Sequence, residues 1–89
     1  MTKAQELRSK NLLDIFDAIV GYEGAAAVDD WREMTFQQLC EQADALGDHY
    51  YQLISAADAE KIAKAVIDYK AADGTNSKFY VREELGECE

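Results

Sequence analysis

The residues best suited to chemistry in this chain are carboxylates that repeat at helical spacing. Glu41, Asp44 and Asp48 lie three and four residues apart, so on a helix they form one stripe roughly opposite the apolar positions. Such a stripe can help to ligate a hard cation, or it can attract a basic surface by complementary charge. The alternative is a solvated face whose charge keeps a small protein soluble. The sequence places no third element that would complete a cation's oxygen shell. We therefore predict no metal and favour the binding of a basic partner.

Catalytic groups are sparse. A nucleophile needs a base close to it, and the single histidine, His49, falls on neither the apolar nor the acidic centre of its segment. No glycine pattern for cradling phosphate is present. The segment around Asp73 superficially resembles the calcium-binding loop of an EF-hand. The resemblance fails because Asn76 occupies the position of the required glycine and Arg82 that of the closing glutamate. We predict a protein that is not an enzyme and carries no cofactor.

The negative charge is concentrated in the middle of the chain. The net charge is −9, and residues 11–60 hold eleven carboxylates against one basic residue, Arg32. An acidic domain is repelled by nucleic-acid phosphates, so we do not expect direct nucleic-acid binding. Further candidate partner-binding acids lie on the first helix and before the second: Asp14, Asp17, Asp29, Asp30 and Glu33. The last three have a structural alternative, because carboxylates are favourable near the positive end of a helix.

Trp31 is the aromatic residue with the most polar surroundings. It stands between Asp29-Asp30 and Arg32-Glu33, in a segment expected at the surface. Aromatic rings in such settings often anchor protein interfaces. The alternative is that the ring packs over the start of the second helix, and the sequence leaves both interpretations open.

Three helices must position these groups. The first should run from Thr2 to about Val20, followed by an irregular connection over 21–28; its apolar arc holds Leu12, Ile15, Phe16, Ile19 and Val20. Thr35 and Gln38 form a capping box, with Met34 and Leu39 as a hydrophobic staple, which predicts that the second helix begins at Phe36. Helical phase continues through Gly47 and predicts one helix to about Ile54. Its apolar face holds Phe36, Leu39, Cys40, Ala43, Leu46, Tyr50 and Ile54. The alternative ends the helix at Gly47 and makes 48–54 a strand.

The third helix should run from Ala56 to about Ala72, capped by Ser55. Glu60 and Lys64 have the spacing of an exposed ion pair on it, and its buried side should hold Ile62, Ala63, Val66, Ile67 and Tyr69. A turn cluster follows at 73–76, and 78–83 alternates briefly as an extended segment would. We predict one mainly α domain over 1–89, a small bundle of about three helices with a C-terminal extended segment. The α+β alternative pairs 49–54 with 78–83.

The compartment is expected to be the cytoplasm. Cys40 and Cys88 are far apart, the N-terminus has no export leader, and no apolar run approaches the ~20 residues that cross a bilayer. The leading functional hypothesis is a non-catalytic acidic protein that binds a basic protein surface. Its sharpest form is a DNA-mimicking inhibitor of a nucleic-acid-handling protein, of the anti-restriction or anti-CRISPR type from a phage or mobile element. The alternative is an accessory helical module that docks through an apolar face or forms a homodimer.

Overall fold

Four α-helices make up most of the fold. The computed structural model describes residues 2–24, 26–52, 54–72 and 77–86, with only the backbone described at 23 and 77–80. The helices are α1 (Lys3–Val20), α2 (Phe36–His49), α3 (Ala56–Ala71) and α4 (Ser77–Gly86), and short 3-10 turns occupy Tyr22–Gly24 and Trp31–Glu33. No strand occurs in the described residues. The predicted small helical bundle is therefore confirmed. Within the described ranges, no helix is long and apolar enough to cross a bilayer.

The beginnings of the first three helices follow from capping residues. In α2 the Thr35 hydroxyl accepts the Gln38 backbone N–H at 3.2 Å, and the Gln38 side-chain oxygen accepts the Thr35 N–H at 2.9 Å. This is the predicted capping box, which satisfies two backbone donors that a helix leaves unpaired at its start. The Ser55 hydroxyl caps α3 in the same way, accepting the Asp58 N–H at 3.1 Å. The predicted starts of α2 and α3 are confirmed.

The end of α2 differs from both predictions. The helix ends at His49 rather than near Ile54, and residues 48–52 and 54 form no strand. The Tyr51 N–H donates to the Asp48 carbonyl at 3.2 Å, and the Gln52 N–H donates to the Gly47 carbonyl at 2.8 Å. This pair of bonds is a Schellman motif, and it places Tyr51 in the left-handed region with φ 56°.

Gly47 makes this reversal possible through its lack of a side chain. It is buried, and a Cβ at this position would lie 3.0 Å from the Gln52 carbonyl oxygen. The chain after the helix therefore folds back against the Gly47 backbone. The apolar residues before and after Gly47 pack on both sides of this turn, although their spacing in the sequence matches a continuous helix. The predicted helix was therefore too long.

The C-terminal segment is helical where an extended segment was predicted, and the alternative strand pairing of 49–54 with 78–83 is absent from the described residues. Val81 and Leu85 lie one turn apart and pack in or against the core, with Leu85 2% exposed. The Ser9 hydroxyl donates to the Gly86 carbonyl, joining α4 to α1. The alternation over 78–83 was too short to reveal this pattern, because the decisive residue, Leu85, lies beyond it.

The core is built between the helices around one ring. Every predicted apolar residue of α1 is buried, as are Leu39, Ala43, Ile62, Ala63 and Val66. The Tyr69 ring on α3 lies 5.5 Å from that of Phe16, 6.0 Å from that of Trp31 and 6.3 Å from that of Tyr22. Among the residues of α2 and α3 that were predicted to be buried, Phe36 is 43% exposed and Ile67 is 39% exposed. Both lie at the margins of their apolar faces.

Candidate functional site

Three carboxylates on α2 form the acidic face, which we define as Glu41, Asp44 and Asp48. The capping box fixes where the helix begins, and the burial of Leu39 and Ala43 turns the three acids toward solvent, where all are exposed. None of them forms an ion pair with a basic residue in the described part of the chain. The one side-chain hydrogen bond recorded on this face runs from Gln37 Nε2 to Glu41 Oε1, at a long 3.5 Å.

A groove between α2 and α3 borders the acidic face. It is open to solvent, has a volume of about 300 Å³, and combines acidic with apolar lining: Phe36, Gln37, Cys40, Glu41, Asp44, Ala56, Ala59 and Glu60. Glu60 was predicted to pair with Lys64, but the described residues contain no such ion pair. Glu60 instead brings a third carboxylate to the groove. Sequence reasoning missed this role because α3 had to be packed on α2 before the two faces could meet.

The surroundings of the thiol in this groove lower its reactivity. Cys40 is free and half-buried, and burial raises its pKa, with the charges of Glu60 and Glu41 acting in the same direction. A thiol with a raised pKa is protonated at neutral pH and reacts slowly. Cys40 therefore serves as a small apolar surface in the groove, as its position on the apolar side of α2 predicted.

The two predicted acids of α1 are paired within the protein. Asp14 Oδ2 accepts hydrogen bonds from Lys10 Nζ at 2.6 Å and from Gln52 Nε2 at 2.9 Å. Burial alone would raise the pKa of Asp14, but these two bonds together with the charges of Lys10 and Arg82 outweigh it and the pKa is lowered. Arg82 donates to both oxygens of Asp17, at 3.3 and 3.1 Å, and thereby ties α4 to α1. These carboxylates serve the fold.

Asp58 is the most deeply buried carboxylate described. Its residue is 6% exposed, and Oδ1 accepts hydrogen bonds from Arg8 Nη2 at 2.5 Å and Arg8 Nε at 3.1 Å. The Arg8 hydrogen bond, which is stronger than the opposing effect of burial, lowers the pKa of Asp58. The pair joins α1 to the start of α3. In the sequence Asp58 was visible only as a helix-start residue, because Arg8 lies fifty positions away.

The tryptophan in the segment before α2 is buried rather than exposed to solvent. Trp31 is 7% exposed, and its ring packs on Tyr69 with the Arg32 guanidinium 4.6 Å from its centroid. The packing interpretation therefore describes this residue, and an exposed anchor at Trp31 does not. Asp29, Asp30 and Glu33 are exposed and form no ion pair among the described residues. The capping bonds at the start of α2 come from Thr35 and Gln38 instead of from these acids.

Exposed aromatic rings stand at the opposite end of α2. Tyr50 is 50% exposed, Tyr51 is 94% exposed, and the exposed His49 ring meets the Tyr50 ring edge-on at 4.9 Å. Tyr50 also borders an open groove of about 570 Å³ against α1, lined in part by Asp14, Asp17 and Tyr22. Sequence reasoning placed Tyr50 on the buried face of a longer helix. The turn after Gly47 is what brings both tyrosines to the surface.

The arrangement can attract positive charge. His49 has a tyrosine ring as its neighbour, and no group of three or more potential ligands in the described residues could hold a metal ion. An exposed set of carboxylates beside a partly apolar groove is suited to contact with basic side chains. Comparisons with known proteins assign no family, because no protein-family model matches the sequence and neither a curated protein nor a solved structure is significantly similar to it.

Proposed function

We propose that this protein is a non-catalytic interaction protein whose acidic face binds a basic surface of another protein. In the sharpest form of the proposal, that surface is the nucleic-acid groove of a DNA-handling or defence protein. The carboxylates then occupy positions that phosphates would take, as in anti-restriction and anti-CRISPR proteins of phages and mobile elements. The protein acts in the cytoplasm, where such targets work.

The division of the acids into two groups carries this proposal. Asp14, Asp17 and Asp58 each have a basic partner within the fold, at 2.6, 3.1 and 2.5 Å. The acidic face has none among the described basic residues, and neither do the exposed Asp29, Asp30 and Glu33 before α2. Arg8 and Arg82 are thus engaged with acids on other helices, and Lys10 with an acid on its own helix. The charge of the acidic face remains available to a partner.

The acidic face also opposes the stability of its own helix. Asp48 is the penultimate residue of α2, at the negative end of the helix dipole, where a carboxylate is unfavourable by about 0.3–1 kcal/mol. Like charges at i,i+3 and i,i+4 add a few tenths of a kcal/mol each. A lysine at any of these positions would relieve the repulsion. The fold therefore gives no reason for the acids, and a binding role does.

The groove between α2 and α3 fits the shape of basic side chains. Lysine and arginine carry an apolar stem and a charged tip, and they favour surfaces that meet both. The partly exposed Phe36 ring and the small Ala59 side chain offer contact to a stem. Glu41, Asp44 and Glu60 offer carboxylates to the tip. A basic protein surface is thus the occupant that matches the groove.

The linear charge density of the acidic face approaches that of a nucleic acid strand. At about 1.5 Å of rise per residue, Glu41 to Asp48 covers about 10 Å of α2, or one charge every ~5 Å. A DNA strand carries one phosphate for about every 3.4 Å of helix axis. The two values are of the same order. This similarity supports phosphate mimicry in preference to a diffuse negative surface.

Partner capture from the native host tests the proposal. The acid-neutralised variant carries Glu41→Gln, Asp44→Asn and Asp48→Asn. A charge-matched control variant carries Glu6→Gln, Asp68→Asn and Glu83→Gln, three exposed acids on the other helices. Wild type and the control should retain the same basic protein at low salt and release it at high salt, because the attraction is screened. The acid-neutralised variant should not retain it.

Competition on the purified partner then tests mimicry. If the acidic face occupies a nucleic-acid groove, duplex DNA and this protein should displace each other, and the acid-neutralised variant should displace DNA poorly. A partner affinity that changes neither with salt nor with the three substitutions would contradict the proposal and favour docking through an apolar face. Simultaneous binding of DNA and this protein would exclude mimicry while leaving charge-driven binding in place.

A further inference from the structure

Tyr51 is the most exposed large hydrophobic residue in the described structure, at 94%. Tyrosine usually has its apolar body covered and only its hydroxyl in water, so this exposure is unusual. The neighbouring Tyr50 is half exposed, and together the two rings form a protruding aromatic pair at the end of α2. Exposed aromatic rings that nothing in the fold covers are typical of binding surfaces.

The backbone at Tyr51 favours a different residue. Its φ of 56° is the conformation in which glycine, and less often asparagine, closes a Schellman motif. A tyrosine here makes the turn less favourable and contributes almost no burial in return. Neither the conformation nor the packing of the fold explains an aromatic ring at this position, and such disfavoured positions concentrate where function requires them.

The aromatic pair is continuous with the acidic face. The Tyr51 N–H donates to the carbonyl of Asp48, the last acid of that face, so the ring follows the acids by less than one helical turn. An exposed aromatic residue three positions after an exposed carboxylate matches one chemical group well. The arginine guanidinium stacks on aromatic rings and also pairs with carboxylates, whereas the lysine ammonium only weakly does the former.

We propose that Tyr51 is the anchor that receives an arginine side chain of the basic partner surface, with Asp48 pairing to the same or an adjacent guanidinium. This inference rests on the proposed function and names its arginine-reading element. A second copy of the chain is a poor occupant, because the net charge of −9 sets one acidic face against another. The partner is therefore an arginine-bearing protein surface, as is common on proteins that bind phosphates.

Short oligoarginine and oligolysine peptides of equal length test this assignment, with affinity measured by calorimetry at low salt. Wild type should bind oligoarginine about two- to fivefold more tightly than oligolysine, the range expected for a stacked guanidinium at an exposed site. Tyr51→Gly and Tyr51→Asn should remove that preference while retaining salt-sensitive binding to both peptides. Tyr51→Phe keeps the ring and should keep the preference. Thermal unfolding of each variant confirms that it is folded.

The variants separate failure of the anchor from failure of the proposed function. Equal affinity of wild type for both peptides, or a preference that survives in Tyr51→Gly, would overturn the anchor and leave charge-driven binding standing. The acid-neutralised variant should lose affinity for both peptides relative to the charge-matched control. If those two variants bind equally, the acidic face is not the binding surface and both proposals fall.

Discussion

Replacing Asp58 with asparagine should destabilise the protein more than any change to an exposed acid. The Asp58 carboxylate is 9% exposed and holds Arg8 through two hydrogen bonds, whereas Arg8 is 41% exposed. After Asp58→Asn, Arg8 can turn into water, so the loss stays below that of a fully buried broken pair. A charge-assisted hydrogen bond contributes about 1.5–3 kcal/mol, and Asp58 also lies favourably in the first turn of α3. We expect a loss of about 2 kcal/mol in the free energy of unfolding.

The same substitution should change how stability depends on pH. The pKa of Asp58 is lowered by the Arg8 hydrogen bond, so the folded state favours the charged form. Its contribution is fully present above the unfolded pKa of about 3.9 and is lost as the pH falls through the lower folded value. Wild type should therefore lose stability below about pH 4. Asp58→Asn should lose less over that range, and some loss should persist because the pKa of Asp14 is also lowered.

Urea unfolding followed by Trp31 fluorescence measures both effects, since the buried indole becomes exposed on unfolding. In thermal unfolding, the same loss should lower the melting temperature by about 8–16 °C for a domain of this size. Asp68→Asn, an exposed aspartate on the same helix, is the matched control and should change stability by less than about 0.5 kcal/mol. Equal stability of Asp58→Asn and Asp68→Asn, with parallel pH profiles, would refute the assignment of a structural ion pair between Arg8 and Asp58.

Three further outcomes can be measured on the purified protein. The acid-neutralised variant should be more stable than wild type by about 0.5–1.5 kcal/mol in urea, because α2 loses its internal repulsion; lower stability would mean that the acids serve the fold. Tyr51→Gly should raise stability by about 0.5–1 kcal/mol by relieving a left-handed conformation, and an unchanged or lower melting temperature would contradict that strain. Iodoacetamide should alkylate Cys40 more slowly than a thiol in an unfolded peptide at pH 8, and equal rates would contradict its raised pKa.

Local rules predicted the parts of the fold that depend on neighbours in sequence. The capping box at Thr35 and Gln38 placed the start of α2 at Phe36, because both partners lie within one turn. The apolar arc of α1 identified its buried face correctly, since a helix that meets a core must carry one apolar side. These signals are properties of short segments, and tertiary packing reinforced them.

The errors arose where contacts between distant residues decided the outcome. Gly47 ended α2 because the chain returned to within 3.0 Å of where its Cβ would stand, a fact that no helical periodicity contains. The C-terminal helix was set by Leu85 packing into the core and by Arg82 binding Asp17, sixty-five positions away. The sequence could not separate the paired acids from the unpaired ones for the same reason, because the partners of Asp17 and Asp58 come from other helices.

The structure narrows the set of carboxylates that are candidates for partner binding. Sequence alone put the acidic face first and kept Asp14 and Asp17 as further candidates, and the structure pairs both of these α1 carboxylates with basic side chains. What remains is a helix with unpaired acids that weaken it and an exposed tyrosine in a conformation suited to glycine. Two independent features that both lower stability lie next to each other at one end of α2. Because departures from local sequence rules are expected at functional or strained sites, the adjacency of these two supports the proposal that binding takes place there.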